Sequence, residues 1–269
     1  MSYVLENQNE WNRLEHQSTL PQYDYRKELA GIPFQAGESV LDAGCGSGVV
    51  TRYLAETYPE NQITGCDSAE ERLIETIAAS RHLKNAGFKA GALEKQDLFK
   101  ENTFDAIICR YVLQHVTPDL RETVVANLFF WLKPGGKLIL IDFDGTVHNL
   151  YPRTEFVDQT LKKIEREAKV DLRIGRKLPA FCFKAGFQNV TYRIETTAFN
   201  EESKQSELNE MQARLTHSMP FLKAELNSQS QAERFCQEFL SSLRNPESVY
   251  FYNKFVTLAH KARPILKIV

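Results

Sequence analysis

Residues 40–48 read Val-Leu-Asp-Ala-Gly-Cys-Gly-Ser-Gly, and they join a strand pattern to a helix pattern. The apolar residues predict a buried strand over 38–42, and the periodicity beyond the glycines predicts a helix over 49–57. Glycines 44, 46 and 48 fill the turn between them. Because they lack side chains, a ligand can lie against this backbone at the N-terminus of a helix.

Two acidic residues flank this turn. Asp67 ends a second predicted strand over 62–67 and is placed to accept hydrogen bonds from both hydroxyls of a ribose. Asp42 lies beside the loop, where its carboxylate repels a pyrophosphate and suits a positively charged ligand. The dinucleotide pattern G-x-G-x-x-G needs glycine at position 49, where this chain has Val49. Purely structural roles, loop capping for Asp42 and a turn for Asp67, are the alternatives.

Strand and helix patterns alternate across residues 38–142. Further strands are predicted over 88–93, 104–109 and 137–142, with helices after Asp67 and over 119–132. Ser68 is the predicted N-cap of the first of these helices, with Glu71 completing a capping box. The strands are continuous apolar runs, which favours a parallel sheet buried on both faces, a doubly wound α/β fold.

The rest of the chain is predicted to be mostly helical. Helices are expected over 154–169, 178–185 and much of 200–245, and strands over 186–195 and 249–258. We expect four regions: N-terminal lid helices (1–30, broken near Pro21), a core (31–199), a helical cap insertion (200–246) and the final strand of the core (247–269).

The composition narrows the function classes. A net charge of -2 gives no general attraction to nucleic acid or anionic membrane, and the longest apolar runs are of strand length. The N-terminal residues contain no apolar segment of the kind found in signal peptides, so no signal peptide is predicted. The cysteines are scattered without a C-x-x-C pair, and His, Asp and Glu show no metal-ligand spacing. A cytoplasmic protein with reduced thiols, no membrane span and no metal is therefore predicted.

Five motifs occur in order, and together they carry a resemblance. They are residues 40–48, 66–68, 96–99, 104–110 and 132–140. With them the chain resembles the class I S-adenosylmethionine (SAM)-dependent methyltransferases. The resemblance implies a Rossmann-like, doubly wound, seven-stranded sheet whose last strand is antiparallel. It implies SAM as cofactor and S-adenosylhomocysteine as product.

The resemblance also implies a set of site residues. It assigns the methionine part of SAM to Asp42, Gly44, Cys45, Gly46, Gly48, Cys109 and Arg110; the ribose to Asp67 and Ser68; and the adenine to Gln96, Asp97 and Leu98. Arg110, Tyr111, Gln114 and His115 are expected to face the acceptor, and Gln114 is also expected to contact the cofactor. His115 is the candidate catalytic base if the acceptor must lose a proton; a structural role is the alternative.

Residues outside the motifs are expected to enclose the site. In the lid, Tyr3, Trp11, Arg13 and Gln17 are predicted to approach the cofactor, with Arg13 meeting its carboxylate; a surface helix is the alternative. In the cap, an apolar acceptor pocket is predicted under Met211, Met219, Phe221 and Leu222, with Phe251, Tyr252 and Phe255 of the last strand beside them.

The predicted function is methyl transfer from SAM to a small, partly apolar molecule by in-line displacement. The expected partners are that small molecule and no nucleic acid, with the protein a monomer or homodimer. A non-catalytic SAM-binding regulator, a protein or peptide methyltransferase and, more distantly, a nicotinamide enzyme are the alternatives. The acceptor and the methylated atom are not identified by the sequence.

Overall fold

The computed structural model describes residues 10–167 and 171–263. Its helices are α1 (Glu10–Ser18), α2 (Tyr25–Leu29), α3 (Val49–Thr57), α4 (Glu70–Ala79), α5 (Arg121–Trp131), α6 (Glu155–Glu167), α7 (Leu178–Ala185), α8 (Glu201–His217), α9 (Met219–Leu226) and α10 (Gln229–Arg244). Its strands are β1 (Ser39–Ala43), β2 (Gln62–Asp67), β3 (Ala86–Ala90), β4 (Phe104–Arg110), β5 (Leu132–Asp144), β6 (Leu150–Tyr151), β7 (Gln188–Phe199) and β8 (Val249–His260).

These strands form one mixed sheet. Its order is β3-β2-β1-β4-β5-β8-β6, with β7 also paired to β8. Strands β1 to β5 pair in parallel, whereas β8 runs antiparallel to β5, β6 and β7. The predicted doubly wound fold with an antiparallel last strand is confirmed. The two-residue strand β6 makes the sheet eight-stranded rather than seven-stranded.

Alternating side chains of the central strands build two cores. Leu41 and Ile107 pack in one cluster with apolar residues of α5 and α7. Their neighbours Val40 and Ile108 point to the opposite face and pack with Leu54 of α3. Both faces of the sheet are therefore covered, which is why its strands are continuous apolar runs.

Helices α8 to α10 build a third core at one end of the sheet. Phe235 and Phe239 pack with α6 residues such as Leu161, with Phe143 near the end of β5, and with Tyr252 of β8. The helices between β7 and β8 thus lie over the carboxyl end of β5. None of the described helices combines the length and the apolar character needed to cross a bilayer.

The turn after β2 differs from its prediction. Helix α4 begins at Glu70 with Ala69 as its N-cap, and no side chain caps it. Asp67 Oδ1 instead accepts a hydrogen bond from the Ala69 amide at 3.0 Å. The predicted Ser68 capping box is wrong, because the acid one residue earlier already satisfies this turn.

Candidate functional site

A cavity of about 390 Å³ lies at the carboxyl ends of the parallel strands. This is where ligands bind in open α/β sheets, and small-molecule sites span roughly 300–1,000 Å³. The cavity has two sides with different chemistry. We call them the glycine-loop side, formed by residues 42, 44–47, 67–68 and 91–94, and the cap side, formed by Phe143, Leu161, Ile164, Met211, Phe221, Leu222 and Phe235.

The glycine loop keeps a left-handed backbone at Gly44, Gly46 and Gly48, with φ of +79°, +57° and +78°. The amides of Gly44 and Cys45 donate to the Cys66 carbonyl at 2.7 and 2.9 Å, and that of Gly46 donates to Asp67 Oδ2 at 2.9 Å. Because these donors are already used within the protein, the loop is not arranged as a phosphate cradle.

Gly48, a predicted cofactor residue, does not line the cavity. A Cβ at this position would lie 2.5 Å from Thr76 Cγ2. Gly48 therefore serves the close packing of α3 against α4, while Gly44, Cys45 and Gly46 line the cavity.

Asp42 lies on the cavity wall with only 2% of its surface exposed. Its Oδ2 accepts a hydrogen bond from the Thr51 hydroxyl at 2.6 Å. Burial raises the pKa of Asp42 to about 6, although the Thr51 bond opposes that shift. A positively charged ligand group would favour the ionised carboxylate here.

Asp67 and Ser68, the predicted ribose residues, both line the cavity. Asp67 Oδ1 also accepts from Arg72 Nη2 at 2.9 Å, and both side chains are more than nine-tenths buried. Arg72 also lines the cavity. The motif pattern did not indicate Arg72, since it becomes a neighbour of Asp67 only through the first turn of α4.

The predicted adenine residues lie elsewhere. Gln96, Asp97 and Leu98 form a short 3-10 helix outside the cavity, and Asp97 is exposed. The cavity is lined instead by residues 91–94, the turn directly after β3. Because β3 ends at Ala90, the chain leaves the cavity before it reaches Asp97.

The two predicted site residues at the end of β4 lie in different surroundings. Cys109 is buried in the core under α5 and does not line the cavity. Arg110, the next residue along the strand, does line the cavity. Its guanidinium is held by Glu28, with 2.5 Å between Arg110 Nε and Glu28 Oε2.

Gln114 and His115 follow in a short 3-10 helix, and both line the cavity. The Gln114 amide donates to Asp142 Oδ2 at 3.1 Å, which anchors this turn to β5. Burial and the nearby charges of Arg13 and Arg72 lower the pKa of His115 to about 3. His115 is therefore neutral at physiological pH.

Helix α1 packs directly on the glycine loop. Arg13 and Gln17 line the cavity, but Trp11 does not, because its indole N–H donates to the Thr76 hydroxyl at 3.2 Å. Both guanidinium contacts of Arg13 at 2.7 Å go to the Glu10 carboxylate. The predicted contact of Tyr3 lies outside the described residues.

The cap side is mostly apolar and aromatic. Tyr23 and Tyr111 complete its wall, and the Arg214 guanidinium lies 5.2 Å from the centre of the Tyr23 ring. Met219 and the last-strand residues Phe251, Tyr252 and Phe255 do not reach the cavity, unlike Met211, Phe221 and Leu222. Across residues 10–167 and 171–263, no three His, Cys, Asp or Glu side chains are grouped to hold a metal ion.

Comparison with known proteins finds a family match for the central part of the chain. Residues 40–136 match the family model described as a methyltransferase domain. They include the glycine loop and Asp67. Residues 40–136 therefore form a methyltransferase domain, and this part of the chain is similar to SAM-dependent methyltransferases.

Named relatives and a solved structure agree with this family. The chain is 34% identical over 114 residues to phosphoethanolamine N-methyltransferase 1 of Triticum aestivum, covering 42% of this chain and 22% of the relative. It is 33% identical over 129 residues to the ubiquinone/menaquinone biosynthesis C-methyltransferase of Desulfotalea psychrophila, covering 47% and 50%. Phosphoethanolamine N-methyltransferase 2 of Haemonchus contortus, solved with SAM, has a TM-score of 0.57 at 19% identity, covering 90% of this chain and 53% of that one.

The residues that match the family model form one side of the cavity and not the other. The chain spans half or less of the length of these two curated relatives. The family match ends at residue 136, before every cap-side residue from Phe143 onward. The match therefore covers the glycine-loop side and leaves the acceptor to be argued from this chain.

Proposed function

We propose that the protein transfers a methyl group from SAM to a small, mainly apolar acceptor. One observation carries the proposal: a single cavity joins the family's glycine loop to an apolar chamber under the cap helices. A cofactor on the loop side and an acceptor on the cap side would meet inside it.

The residues of the glycine-loop side fit SAM. We assign the ribose hydroxyls to Asp67. Its Oδ2 accepts one hydrogen bond, from an amide, whereas its Oδ1 accepts two, from an amide and a guanidinium. We assign the adenine to residues 91–94, a segment in which Glu94 is the acidic residue that lines the cavity. Asp42 suits the ammonium group. SAM supplies an electrophilic methyl group on a sulfonium.

The protein itself contributes by positioning the acceptor and the cofactor and by excluding water. In-line displacement depends on alignment of the acceptor atom with the methyl group and the sulfur. Helix α1 on the loop side and α8 to α9 on the cap side supply walls for this enclosure, and His16 of α1 reaches Glu210 of α8 at 3.6 Å. An enclosed site supports a small molecule over a protein or peptide acceptor.

His115 remains the candidate base in this proposal, but its pKa near 3 makes proton transfer to it uphill from most acceptors. We therefore assign it first the role of a hydrogen-bond acceptor that orients the substrate. In His115→Ala, retained SAM binding with unchanged turnover and pH profile would remove it from both roles.

Methyl-labelled SAM incubated with fractions of a metabolite extract tests the proposed function. We expect label to enter an organic-soluble fraction, and we expect SAM, but not NADH, to bind in calorimetry. SAM binding without transfer in any fraction would favour the non-catalytic regulator. Binding of NADH in place of SAM would overturn the proposal.

A further inference from the structure

Glu28 is a fully buried carboxylate at the end of α2 that meets donors from two other elements. It accepts from Arg110 Nε at 2.5 Å, the Tyr111 hydroxyl at 2.6 Å and Lys254 Nζ at 2.9 Å. Burial alone raises the pKa of Glu28, but the charges of Arg110 and Lys254 outweigh it and hold the pKa below its ordinary value. Glu28 is therefore ionised and tightly held, and two of its three partners line the cavity.

Glu28 determines how Arg110 is oriented. Arg110 Nε donates to Glu28, and Nη2 donates to the Tyr23 carbonyl at 2.8 Å. Among the described residues, Nη1 has no hydrogen-bond partner. Since the guanidinium is planar, the bonds from Nε and Nη2 also fix the direction of the Nη1 hydrogens. Arg110 thus has donors left for a ligand in a cavity that it lines.

Glu28 also holds Tyr111 in an unusual backbone conformation. Tyr111 has φ of +58°, a region that bulky residues rarely adopt. Its ring stacks on Phe143 at 4.2 Å, and the Arg110 guanidinium lies 4.1 Å from its centre. Such conformations persist where surrounding contacts impose them, and they cluster at functional sites. The hydroxyl bond to Glu28 is one of those contacts.

We propose that Glu28 is a positioning residue for the amino-acid part of SAM, acting through Arg110, whose Nη1 would meet the ligand carboxylate. The inference rests on the proposed function. A guanidinium and a carboxylate form strong charge-assisted hydrogen bonds. Arg13, the residue predicted for this contact from the sequence, has its guanidinium on Glu10 instead.

Two ligands distinguish a positioning role of Glu28 from a role in stabilising the fold. S-adenosylhomocysteine carries the amino acid, whereas 5′-methylthioadenosine has the adenosine and sulfur without it. In calorimetry, we expect Glu28→Gln to weaken S-adenosylhomocysteine about tenfold or more, as loss of a charged hydrogen bond does. Methylthioadenosine affinity should change by less than about twofold. Arg110→Gln should show the same selectivity, and the double variant should bind no more weakly than Arg110→Gln alone.

Glu38→Gln is the matched control, because Glu38 pairs with Lys137 at 2.9 Å before the start of β1, away from the cavity. It should leave both affinities unchanged. An equal loss of both ligands in Glu28→Gln, no loss of either, or additive losses in the double variant would overturn the proposal. If Glu28→Gln does not fold, Glu28→Gln with Lys254→Met removes a buried cation together with the acid and carries the same comparison. Failure of wild type to bind either ligand would instead contradict the proposed function.

Discussion

The two sides of the cavity are built in different ways. On the glycine-loop side, the wall comes from short turns that directly follow β1, β2 and β3. On the cap side, it comes from the end of β5 and from helices α6, α8, α9 and α10, which span about a hundred residues of chain. The first side depends on backbone conformation and single acids, and the second depends on apolar side chains packed across helices.

This difference explains why the family model matches the loop side and ends before the cap side. A loop with three left-handed glycines tolerates few substitutions. An apolar wall accepts many combinations of side chains of suitable volume. The relatives named above are an N-methyltransferase and a C-methyltransferase, so a common loop side accompanies different acceptors in those proteins.

The largest expected effect is on the loop side, at Asp67. Asp67→Asn should weaken S-adenosylhomocysteine by about 100-fold, because the charged hydrogen bond from the ribose to Oδ2 and the buried ion pair with Arg72 are lost together. Asp97→Asn is the matched control and should leave affinity unchanged, since Asp97 is exposed and outside the cavity. Calorimetry on both variants measures this. A large loss in Asp97→Asn would restore the adenine role predicted from the sequence.

A substitution on the cap side should separate binding from transfer. Leu222→Trp places a larger side chain in the chamber, and we expect transfer to the active extract fraction to fall at least about tenfold while S-adenosylhomocysteine affinity stays within about twofold. Leu226→Trp on the same helix is equally buried but lies outside the cavity, so it reports the cost of overpacking alone. Equal activity in the two variants would place the acceptor elsewhere.

The pH dependence of binding tests Asp42. Because its pKa is about 6, Asp42 becomes protonated as the pH falls below that value, while the ligand ammonium stays charged. Affinity for S-adenosylhomocysteine should therefore fall by up to about tenfold per pH unit below pH 6. Asp42→Asn should be weaker above pH 6 and nearly independent of pH. A pH-dependent wild type with an equally dependent Asn variant would assign the effect to another group.

The smallest effect concerns stability rather than binding. Burial raises the pKa of Glu207, which is 0% exposed, to about 8. A carboxyl group whose folded pKa is raised loses stabilising free energy as the pH rises from its ordinary value to the folded value. Glu207→Gln should match wild type at pH 4.5 and melt roughly 2–8 °C higher at pH 8.5. Calorimetric melting at both pH values decides it; a variant less stable at pH 8.5 would contradict the raised pKa.

Much of the fold was predictable because its signals are local. The strand over 62–67 and the helix over 178–185 match the structure residue for residue, since turns and apolar periodicity mark both ends. The two-residue strand β6 had no such signal, because it exists only through pairing with Val249 and Tyr250.

The sequence points to Asp42, Gly46 and Asp67 because one strand–turn–helix pattern places them at the ends of β1 and β2, and all three line the cavity. Residues whose position depends on tertiary packing have no such pattern. Asp97 was assigned to the adenine by the resemblance to the family, whereas β3 ends at Ala90 and Asp97 lies outside the cavity. Glu28 and Arg72 reach the site through tertiary contacts, for which the sequence has no pattern.

A crystal structure with S-adenosylhomocysteine bound tests the central claim most directly. We expect the ribose at Asp67, the adenine against residues 91–94, and the sulfur facing the cap side near Tyr111 and Phe143. The apolar chamber should then open onto the sulfur, where the methyl group of SAM would be. A ligand bound outside the cavity, or with its sulfur turned away from the chamber, would contradict methyl transfer to an acceptor under the cap helices.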